Sequence, residues 1–439
     1  MIETADRAAE QDYTTSQIVV AIQHAKLVAN TLVNEFHMPV AEADRDTRLG
    51  LVLLDIRNVG RITARDWAIE STFRDVFSLA ELERLRRLRQ RSSDLDELLA
   101  RLRIWFSSHY DGWIPLFGKN RVVDAIVGSP YPRSITYVLS EPTLRDGGQL
   151  LDLEVAYGGR PGVGVTEGIP PRVSADPEAG HAVRVGLLDT RLYPHPSLAG
   201  HYFAPADVLH RPANDQVVEP IAGHATLIAD LIRRQAPGAE LVVQRALSDD
   251  NGTARVWETA KKMMSFADAG IDVLNLSFGC YTRDGEPPLV LRRAIELLSP
   301  RMVIVAAAGN HGIQNPATLH VTPKSPVWPA ALPDVVAVGA HRPEAPFGPA
   351  DFTPKEAPWI QFTATGVHVD GVYIDARVNV PGSECPVESK GRVRWSGTSF
   401  AAATVSGIIA ANTKPGEKTA RQALAELSDD PNSVVKKLR

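Results

Sequence analysis

Four polar residues stand at the ends of mostly apolar segments, and their chemical types are those that a serine nucleophile needs. Asp189 ends the segment 183–188, His224 opens a helical pattern, Asn310 follows the segment 303–308, and Ser399 precedes the segment 401–410. A serine hydroxyl is a poor nucleophile at its own pKa and needs an adjacent base, which His224 can supply. Asp189 would orient the imidazole, and the Asn310 amide would stabilise an oxyanion. The set therefore predicts acyl transfer through Ser399.

The sequence around Ser399 predicts that its hydroxyl lies at the start of a buried helix. Gly397 and Thr398 precede the serine, and residues 401–410 are almost all apolar. The free amides and the dipole of a helix N-terminus favour the negative charge that develops during acyl transfer. We therefore expect Ser399 in the first turn of a helix over 399–411.

Apolar strands and helical patterns alternate from residue 183 onwards, which is typical of an α/β fold with a parallel sheet and helices on both faces. The predicted strands cover 183–189, 240–246, 271–276, 302–308 and 334–340, and the predicted helices cover 224–234, 254–269, 287–299, 399–411 and 417–428. The region 341–396 is expected to hold loops or a hairpin. Sites in such folds lie at the carboxyl ends of strands, where Asp189 and Asn310 fall.

In their order along the chain, these segments resemble the subtilisin-like serine proteases, or subtilases. The resemblance covers residues 181–432 and includes the segments 236–241, 272–279, 328–331 and 335–340. It implies a subtilisin-like peptidase domain and a serine endopeptidase that forms an acyl-enzyme on Ser399, with His224 as general base. It also implies that extended backbone pairs with a peptide or protein substrate, at Ser277, Phe278, Gly279, Ala307, Ala308 and Gly309. The small Ala and Gly side chains of that set would leave room for a substrate side chain.

The sequence departs from the family pattern close to the catalytic residues. Arg191 stands two residues after Asp189, where family members usually have Gly, and Phe400 replaces the Met that often follows the serine. If Arg191 points inward, its guanidinium competes with His224 for the Asp189 carboxylate. A catalytically silent peptide-binding module is therefore the alternative to a peptidase. A processing protease with a single cellular substrate is a third interpretation.

Residues 1–156 do not resemble the protease region, and they predict a separate, mostly helical α+β domain of unknown role. The patterns predict helices over 18–36 and 79–88, a helix capped by Asp94, and strands at 49–56, 121–127 and 134–139. Gly and Pro crowd residues 157–180, which favours a linker, and residues 433–439 form a C-terminal tail. A pro-domain, an inhibitor and a substrate-recruiting module all stay open for the first domain.

The composition restricts the partners and the compartment. The chain is 44% hydrophobic and 23% charged, with a net charge of −5, which does not favour nucleic acid. No apolar stretch reaches about 18 residues, and the N-terminus lacks a basic start with an apolar run, so we expect a cytoplasmic protein without a membrane partner. Cys280 and Cys385 lack a metal-ligand spacing. Two free thiols are the simplest interpretation, and a disulfide or redox-sensitive pair is the alternative. No cofactor is implied, while structural calcium and oligomeric state stay open.

Overall fold

The computed structural model describes residues 13–59, 93–125, 143–146, 149–150, 174–213, 215–282, 285–312, 321–342, 348–379, 385–427 and 435–437. Two units can be distinguished, one of residues 1–121 with 288–290 and one of residues 122–287 with 291–439. The second unit therefore begins at Val122, ahead of the predicted linker. The helix predicted at 79–88 and the strand predicted at 134–139 lie outside the described residues.

The described part of the first unit follows the order strand, helix, strand, strand, helix, strand. Its elements are β1 (Tyr13–Ala21), α1 (Ile22–Asn34), β2 (Val40–Asp46), β3 (Leu51–Ile56), α2 (Asp94–His109) and β4 (Phe117–Ala125), whose residues from Val122 belong to the second unit. The strands pair antiparallel in the order β4, β1, β3, β2, with Val20 opposite both Phe117 and Val52. Val20 packs with Val28 of α1 and Leu98 of α2 in one buried core. The predicted α+β character of this domain is confirmed.

The structure corrects two predicted helix starts in this unit. Ile18, the first residue of the predicted apolar stripe, lies in β1, and α1 begins at Ile22. The run 18–20 is β-branched throughout and buried on both faces, which favours a strand over a helix. Ser93, and not Asp94, caps α2. Its hydroxyl accepts from the Asp96 N–H while the Asp96 carboxylate accepts from the Ser93 N–H, which is a capping box.

Further strands and helices follow in the rest of the described residues. The strands are β5 (Thr143–Asp146), β6 (Gln149–Leu150), β7 (Arg184–Asp189), β8 (Tyr202–Phe203), β9 (Val217–Val218), β10 (Glu240–Arg245), β11 (Thr253–Arg255), β12 (Val273–Leu276), β13 (Phe278–Gly279), β14 (Val303–Ala307), β15 (Val336–His341), β16 (Ile360–Thr365), β17 (Val369–Val372), β18 (Arg377–Val378), β19 (Val387–Glu388), β20 (Arg392–Trp395) and β21 (Val435–Lys437). The helices are α3 (His224–Gln235), α4 (Val256–Met264), α5 (Leu289–Leu298), α6 (Thr398–Ala411) and α7 (Ala420–Ala425). None of the helices in the described ranges is long and apolar enough to span a bilayer.

Eight strands form the main sheet in the order β21, β16, β15, β14, β12, β7, β10, β8. All neighbours run parallel except β21. Strands β12, β14 and β15 are buried along their whole length, as expected where helices cover both faces of a parallel sheet. The predicted α/β fold is confirmed. The region 341–396, predicted to hold loops or a hairpin, contributes β16 to this sheet as well as the hairpin of β17 and β20.

Helices α3 and α6 pack against each other at very short range. A Cβ added to Gly407 of α6 would lie 2.7 Å from the Ile232 carbonyl oxygen and 2.8 Å from the Gln235 Cβ, both on α3. Only a residue without a side chain therefore fits at this crossing. Because α3 opens with His224 and α6 carries Ser399, the crossing fixes the distance between the two helix starts.

We predict that Gly407→Ala destabilises the protein despite the higher helix propensity of alanine. Propensity alone would stabilise an interior helix position by about 1 kcal/mol. The clash with α3 instead costs about 1–3 kcal/mol, as overpacking of a core typically does. Urea unfolding at equilibrium measures the sign. A variant more stable than the wild type would contradict the close crossing.

Candidate active site

Three adjacent strands of the main sheet bring polar residues to one edge. Strand β7 ends at Asp189, β12 is followed directly by Ser277, and β14 ends shortly before Asn310. These strands are neighbours in the order β14, β12, β7, and their carboxyl ends therefore meet at the same edge of the sheet. This is the edge at which parallel α/β sheets carry their sites.

Asp189 and His224 form a buried hydrogen-bonded pair. The His224 Nδ1 lies 2.8 Å from the Asp189 Oδ1, and both side chains are 0% exposed. The same carboxylate oxygen accepts from the Thr190 N–H at 2.8 Å, and the Thr190 hydroxyl accepts from the Ala225 N–H at 3.2 Å. Thr190 thus ties the end of β7 to the first turn of α3. A carboxylate at Nδ1 leaves Nε2 as the basic nitrogen of the ring.

Ser399 lies between residues that contact its two predicted partners. Thr398, just before it, donates from its N–H and its hydroxyl to the Asn310 Oδ1 at 2.9 and 3.0 Å. Phe400, just after it, has its ring centroid 5.6 Å from that of His224. The first turn of α6 therefore lies beside both the imidazole and the amide. The Ser399 hydroxyl itself donates to the Ser277 carbonyl at 3.4 Å, and the buried His224 Nε2 makes no hydrogen bond among the described residues. With Oδ1 held by Thr398, the Asn310 Nδ2 is the group of this amide that can donate to a substrate oxyanion.

The Ser399 backbone carbonyl is held by a buried chain of hydrogen bonds that was not predicted from the sequence. The Ser406 hydroxyl donates to the Asn275 Oδ1 at 3.0 Å, and the Asn275 Nδ2 donates to the Ser277 hydroxyl at 2.9 Å. The Ser277 hydroxyl in turn donates to the Ser399 carbonyl at 3.2 Å. Asn275 is 0% exposed inside an otherwise apolar strand. A lone amide in a buried strand needs partners, and that was the available signal.

Aromatic rings cover the imidazole. The Trp395 ring lies 5.6 Å from the His224 ring, edge to face, and 5.4 Å from the Phe400 ring. Tyr373 packs against Trp395 at 6.3 Å and hydrogen-bonds through its hydroxyl to the Pro220 carbonyl. The relative exposure of both His224 and Ser399 is 0%. The two candidate catalytic side chains are thus shielded from water in the structure.

Arg191 does not contact the catalytic aspartate. Its Nε lies 3.5 Å from the Asp249 Oδ2, and its backbone N–H donates to the Asp249 Oδ1 at 2.8 Å. Arg245 also pairs with Asp249, at 3.2 Å. The competition for Asp189 considered from the sequence is therefore absent from the described contacts, since a second carboxylate engages the guanidinium.

Cys280 and Cys385 are both free thiols, the first buried and the second exposed. This agrees with the simplest interpretation of the sequence and argues against the alternative of a disulfide.

The predicted substrate strand at Phe278 and Gly279 is already paired with an extended segment of the same chain. In the second unit, Val122–Ala125 runs between β11 and β13, with Asp124 opposite Gly279 and Ala125 opposite Phe278. On its other side, Val123 lies opposite Ala254, and the Ala125 N–H donates to the Gly252 carbonyl at 2.8 Å. Ala254 belongs to β11, whereas the sequence pattern predicted a helix from 254; α4 begins at Val256. Pairing with a neighbouring strand overrides the local helical preference here.

The segment Ala307–Gly309 has its N–H groups engaged differently. The Ala308 N–H donates to the Val338 carbonyl at 2.9 Å, and the Gly309 N–H donates to the Thr398 hydroxyl at 3.1 Å. This segment therefore contacts the first turn of α6, and its N–H groups at Ala308 and Gly309 are already hydrogen-bonded within the protein.

Comparison with known proteins finds serine proteases that are similar to this chain in sequence. A thermophilic serine proteinase from Bacillus sp. (strain AK1) is 27% identical over 259 residues, which cover 56% of this chain and 56% of the relative. Serine protease AprX from Bacillus subtilis (strain 168) is 31% identical over 156 residues, which cover 30% of this chain and 34% of the relative. This chain thus spans only about half or less of these curated relatives.

The fold and the family follow from two further matches. Fervidolysin from Fervidobacterium pennivorans, a keratinolytic enzyme related to subtilisin, shares the fold with a TM-score of 0.53 at 17% identity, over 92% of this chain and 55% of its own. The sequence profile of the subtilase family matches residues 180–425, which include Asp189, His224, Asn310 and Ser399. Because this match covers more than half of the chain, the protein belongs to the subtilase family.

Proposed function

We propose that this chain is a serine endopeptidase that hydrolyses peptide bonds through an acyl-enzyme on Ser399. The observation that carries the proposal is the convergence of Asp189, His224, Asn310 and Ser399 at one buried edge of the sheet, with the Asp189–His224 bond at 2.8 Å. Its substrate is a peptide or protein, and the chemistry requires no organic cofactor. We propose the cytoplasm as its location and an intracellular or processing role.

The arrangement supports the following proton movements, for which the Ser399 hydroxyl has to turn from the Ser277 carbonyl toward the His224 Nε2. His224 Nε2 takes the proton of the Ser399 hydroxyl as the oxygen attacks the carbonyl carbon of the scissile bond. The same nitrogen then returns the proton to the leaving amine, and a water repeats the sequence to release the acyl group. Asp189 stabilises the imidazolium that forms between the two steps. The Asn310 Nδ2 donates to the oxyanion, which develops at the positive end of α6.

We predict that the four residues contribute to the rate in different degrees. Full-length protein is treated with a serine-directed fluorophosphonate, the adduct is located by peptide mapping, and cleavage of a peptide substrate is followed in parallel. Ser399→Ala should abolish both signals. Asp189→Asn should lower kcat by about 10⁴, since it favours the wrong tautomer. Asn310→Ala should lower kcat by about 10²–10³, a magnitude that comes from a subtilisin asparagine.

The same experiment separates the peptidase from its rival. Absence of an adduct on Ser399 and of cleavage, both in folded full-length protein and in protein whose residues 122–125 have been displaced from β13 by Ala125→Arg, would indicate the catalytically silent peptide-binding module. An adduct on Ser399 together with failure to cleave denatured casein would instead favour a processing protease with a narrow substrate range.

We further propose that the chain keeps this site latent with its own segment Val122–Ala125. The segment uses the strand positions at Phe278 and Gly279 that a substrate needs. The paired strand lies close to the proposed nucleophile, because Phe278 directly follows Ser277, whose carbonyl is 3.4 Å from the Ser399 Oγ. A peptide substrate therefore has to displace this segment before it can bind.

Ala125→Arg should release the segment and raise the rate at which the fluorophosphonate labels Ser399. Ala125 is 2% exposed and would lie 3.1 Å from a Cβ placed on Gly252, so an arginine has no room and no partner. Burying an unpaired charge costs well over the roughly 1.4 kcal/mol that corresponds to a tenfold change. We expect an increase of at least about tenfold. Ala41→Arg, the same change on an exposed strand residue, is the control, and equal rates for the two variants would refute latency.

The latency should also weaken as the pH rises. Desolvation raises the pKa of the Asp124 carboxyl from 3.8 to about 7 in the docked segment. The docked form therefore prefers the neutral acid, and docking is strongest below about pH 4, weakens up to about pH 7, and then stays constant. Its strand neighbours at this position, Thr253 and Gly279, carry no charge that would offset this.

Labelling rates of the wild type and of Asp124→Asn, compared from pH 5 to pH 8, test this dependence. Every other pH-dependent step is common to the two proteins, so only the ratio of their labelling rates reports Asp124. The wild-type labelling rate divided by the Asp124→Asn rate should rise with pH up to about 7. The reason is that asparagine mimics the neutral acid at every pH, whereas the wild-type carboxyl ionises. A ratio that does not change with pH would rule out Asp124 as the titrating group.

A further inference from the structure

Two neighbouring strands separate in front of Ser399 and leave a slot between them. Strands β12 and β14 pair in parallel as far as Leu276 and Ala306. Beyond that point β12 continues into β13, which pairs with Asp124 and Ala125, while Ala307 pairs with Val338 of β15. The slot has two walls, residues 277–279 and residues 307–309. Both walls contact the first turn of α6: the Ser277 hydroxyl donates to the Ser399 carbonyl at 3.2 Å, and the Gly309 N–H donates to the Thr398 hydroxyl at 3.1 Å. The slot therefore opens directly at the nucleophile.

The two walls are joined again a few residues beyond the nucleophile. Cys280, after the first wall, exchanges two backbone hydrogen bonds with Trp328, at 2.9 and 3.0 Å. Tyr281 and His311 connect the two walls, with the Tyr281 hydroxyl 2.9 Å from the His311 Nδ1 and the ring centroids 4.8 Å apart. These contacts close the far end of the slot.

Side chains fill the space beside Gly309 that the sequence analysis expected to be open. A Cβ added to Gly309 would lie 2.8 Å from both the His311 Nδ1 and the Val327 Cγ2. Val327 is 1% exposed, and a hydrogen bond at each ring nitrogen holds His311, from Tyr281 and to the Ser325 carbonyl at 2.8 Å. Neither side chain can move away without loss of buried contacts. The slot is consequently short as well as closed.

We infer that His311 and Val327 restrict the residue whose carbonyl Ser399 attacks to small side chains, so that the enzyme cleaves after Gly, Ala or Ser and poorly after Leu or Phe. This inference rests on the proposed peptidase function. A peptide that pairs with β13 in the register of Val122–Ala125 has one residue opposite Phe278, where Ala125 lies in this structure. The next residue of that peptide then lies opposite Ser277, at the mouth of the slot. Its side chain then has only the space left by His311 and Val327.

The slot also offers no positive charge to an acidic side chain. Burial lowers the pKa of His311 to about 4, so its imidazole is neutral at physiological pH. With Nδ1 accepting from Tyr281 and Nε2 donating to Ser325, neither nitrogen is left to bind a carboxylate. Small neutral side chains are therefore the class that fits.

Fluorogenic peptides that differ only in the residue before the scissile bond, Gly, Ala, Leu or Phe, test the inference on full-length protein. Latency lowers the rate for every peptide by the same factor, so ratios of kcat/KM remain meaningful. We expect wild type to prefer Ala over Phe by more than about tenfold, the range in which pockets discriminate by size. Val327→Ala and His311→Ala should each lower that ratio by at least about fivefold, mainly by improving cleavage after the larger residues. Val335→Ala, which shortens an equally buried valine outside the slot, should leave the ratio unchanged.

Fluorophosphonate labelling of Ser399 separates the possible failures. If Ser399 of the wild type is labelled but the enzyme prefers Leu or Phe, the size inference is wrong while the proposed function stands. The same holds if Val327→Ala is labelled and its Ala-over-Phe ratio of kcat/KM equals that of the wild type. His311 is next to Asn310, so poor labelling of His311→Ala would mean that the substitution has displaced the Asn310 amide. In that case the result for Val327→Ala decides whether the size inference holds. Absence of both labelling and cleavage in the folded wild type and in Ala125→Arg overturns the proposed function and this inference with it.

Discussion

The first turn of α6 is buried against three strand ends, and this burial dictates how the site is built. A helix start leaves backbone N–H groups without partners, and such groups are costly to bury. Here the Thr398 N–H donates to the Asn310 Oδ1 at 2.9 Å, and the Ser399 carbonyl accepts from Ser277 at 3.2 Å. The bonds that satisfy the turn are thus the bonds that orient the amide and the nucleophile. A change that disturbs them therefore affects stability and geometry together, and the close crossing at Gly407 transmits the same constraint to α3 and His224.

Much of this arrangement could be predicted from the sequence, because it depends on local patterns. Apolar runs that end in Asp189 and before Asn310 mark buried parallel strands, and the apolar segment after Ser399 marks a central helix. Polar groups at the carboxyl ends of neighbouring parallel strands must come together once the strand order is given. The free state of Cys280 and Cys385 also agreed with the sequence interpretation. These predictions succeed because each rests on periodicity and on burial within one element.

The parts that the sequence could not provide depend on contacts between residues far apart in the chain. Ala125 and Phe278 pair across about 150 residues, and no local pattern encodes that register. The side chains that fill the slot, His311 and Val327, meet only after two loops have folded, so small residues at 307–309 suggested open space that is occupied. The orientation of the Arg191 side chain also depends on a residue far away in the sequence, because its guanidinium pairs with Asp249. Only Ile18 was misassigned for a local reason, since three β-branched residues outweighed a sparse helical stripe.

Strands β11 and β13 explain why a latent state is the physically expected one. An open strand edge exposes unpaired N–H and C=O groups, and it binds any extended segment that can reach it. In the intact chain that segment is Val122–Ala125, which acts at the effective concentration of an intramolecular partner. A peptide of ordinary affinity would therefore bind more weakly to the intact chain than to a chain without this segment. A break in the chain after Ala125 would leave the segment tied from one side only, and the same strand positions would then be open to substrates. If the proposed function holds, the strand edge that binds a substrate would also control access to the site, because the same backbone groups would pair with both occupants.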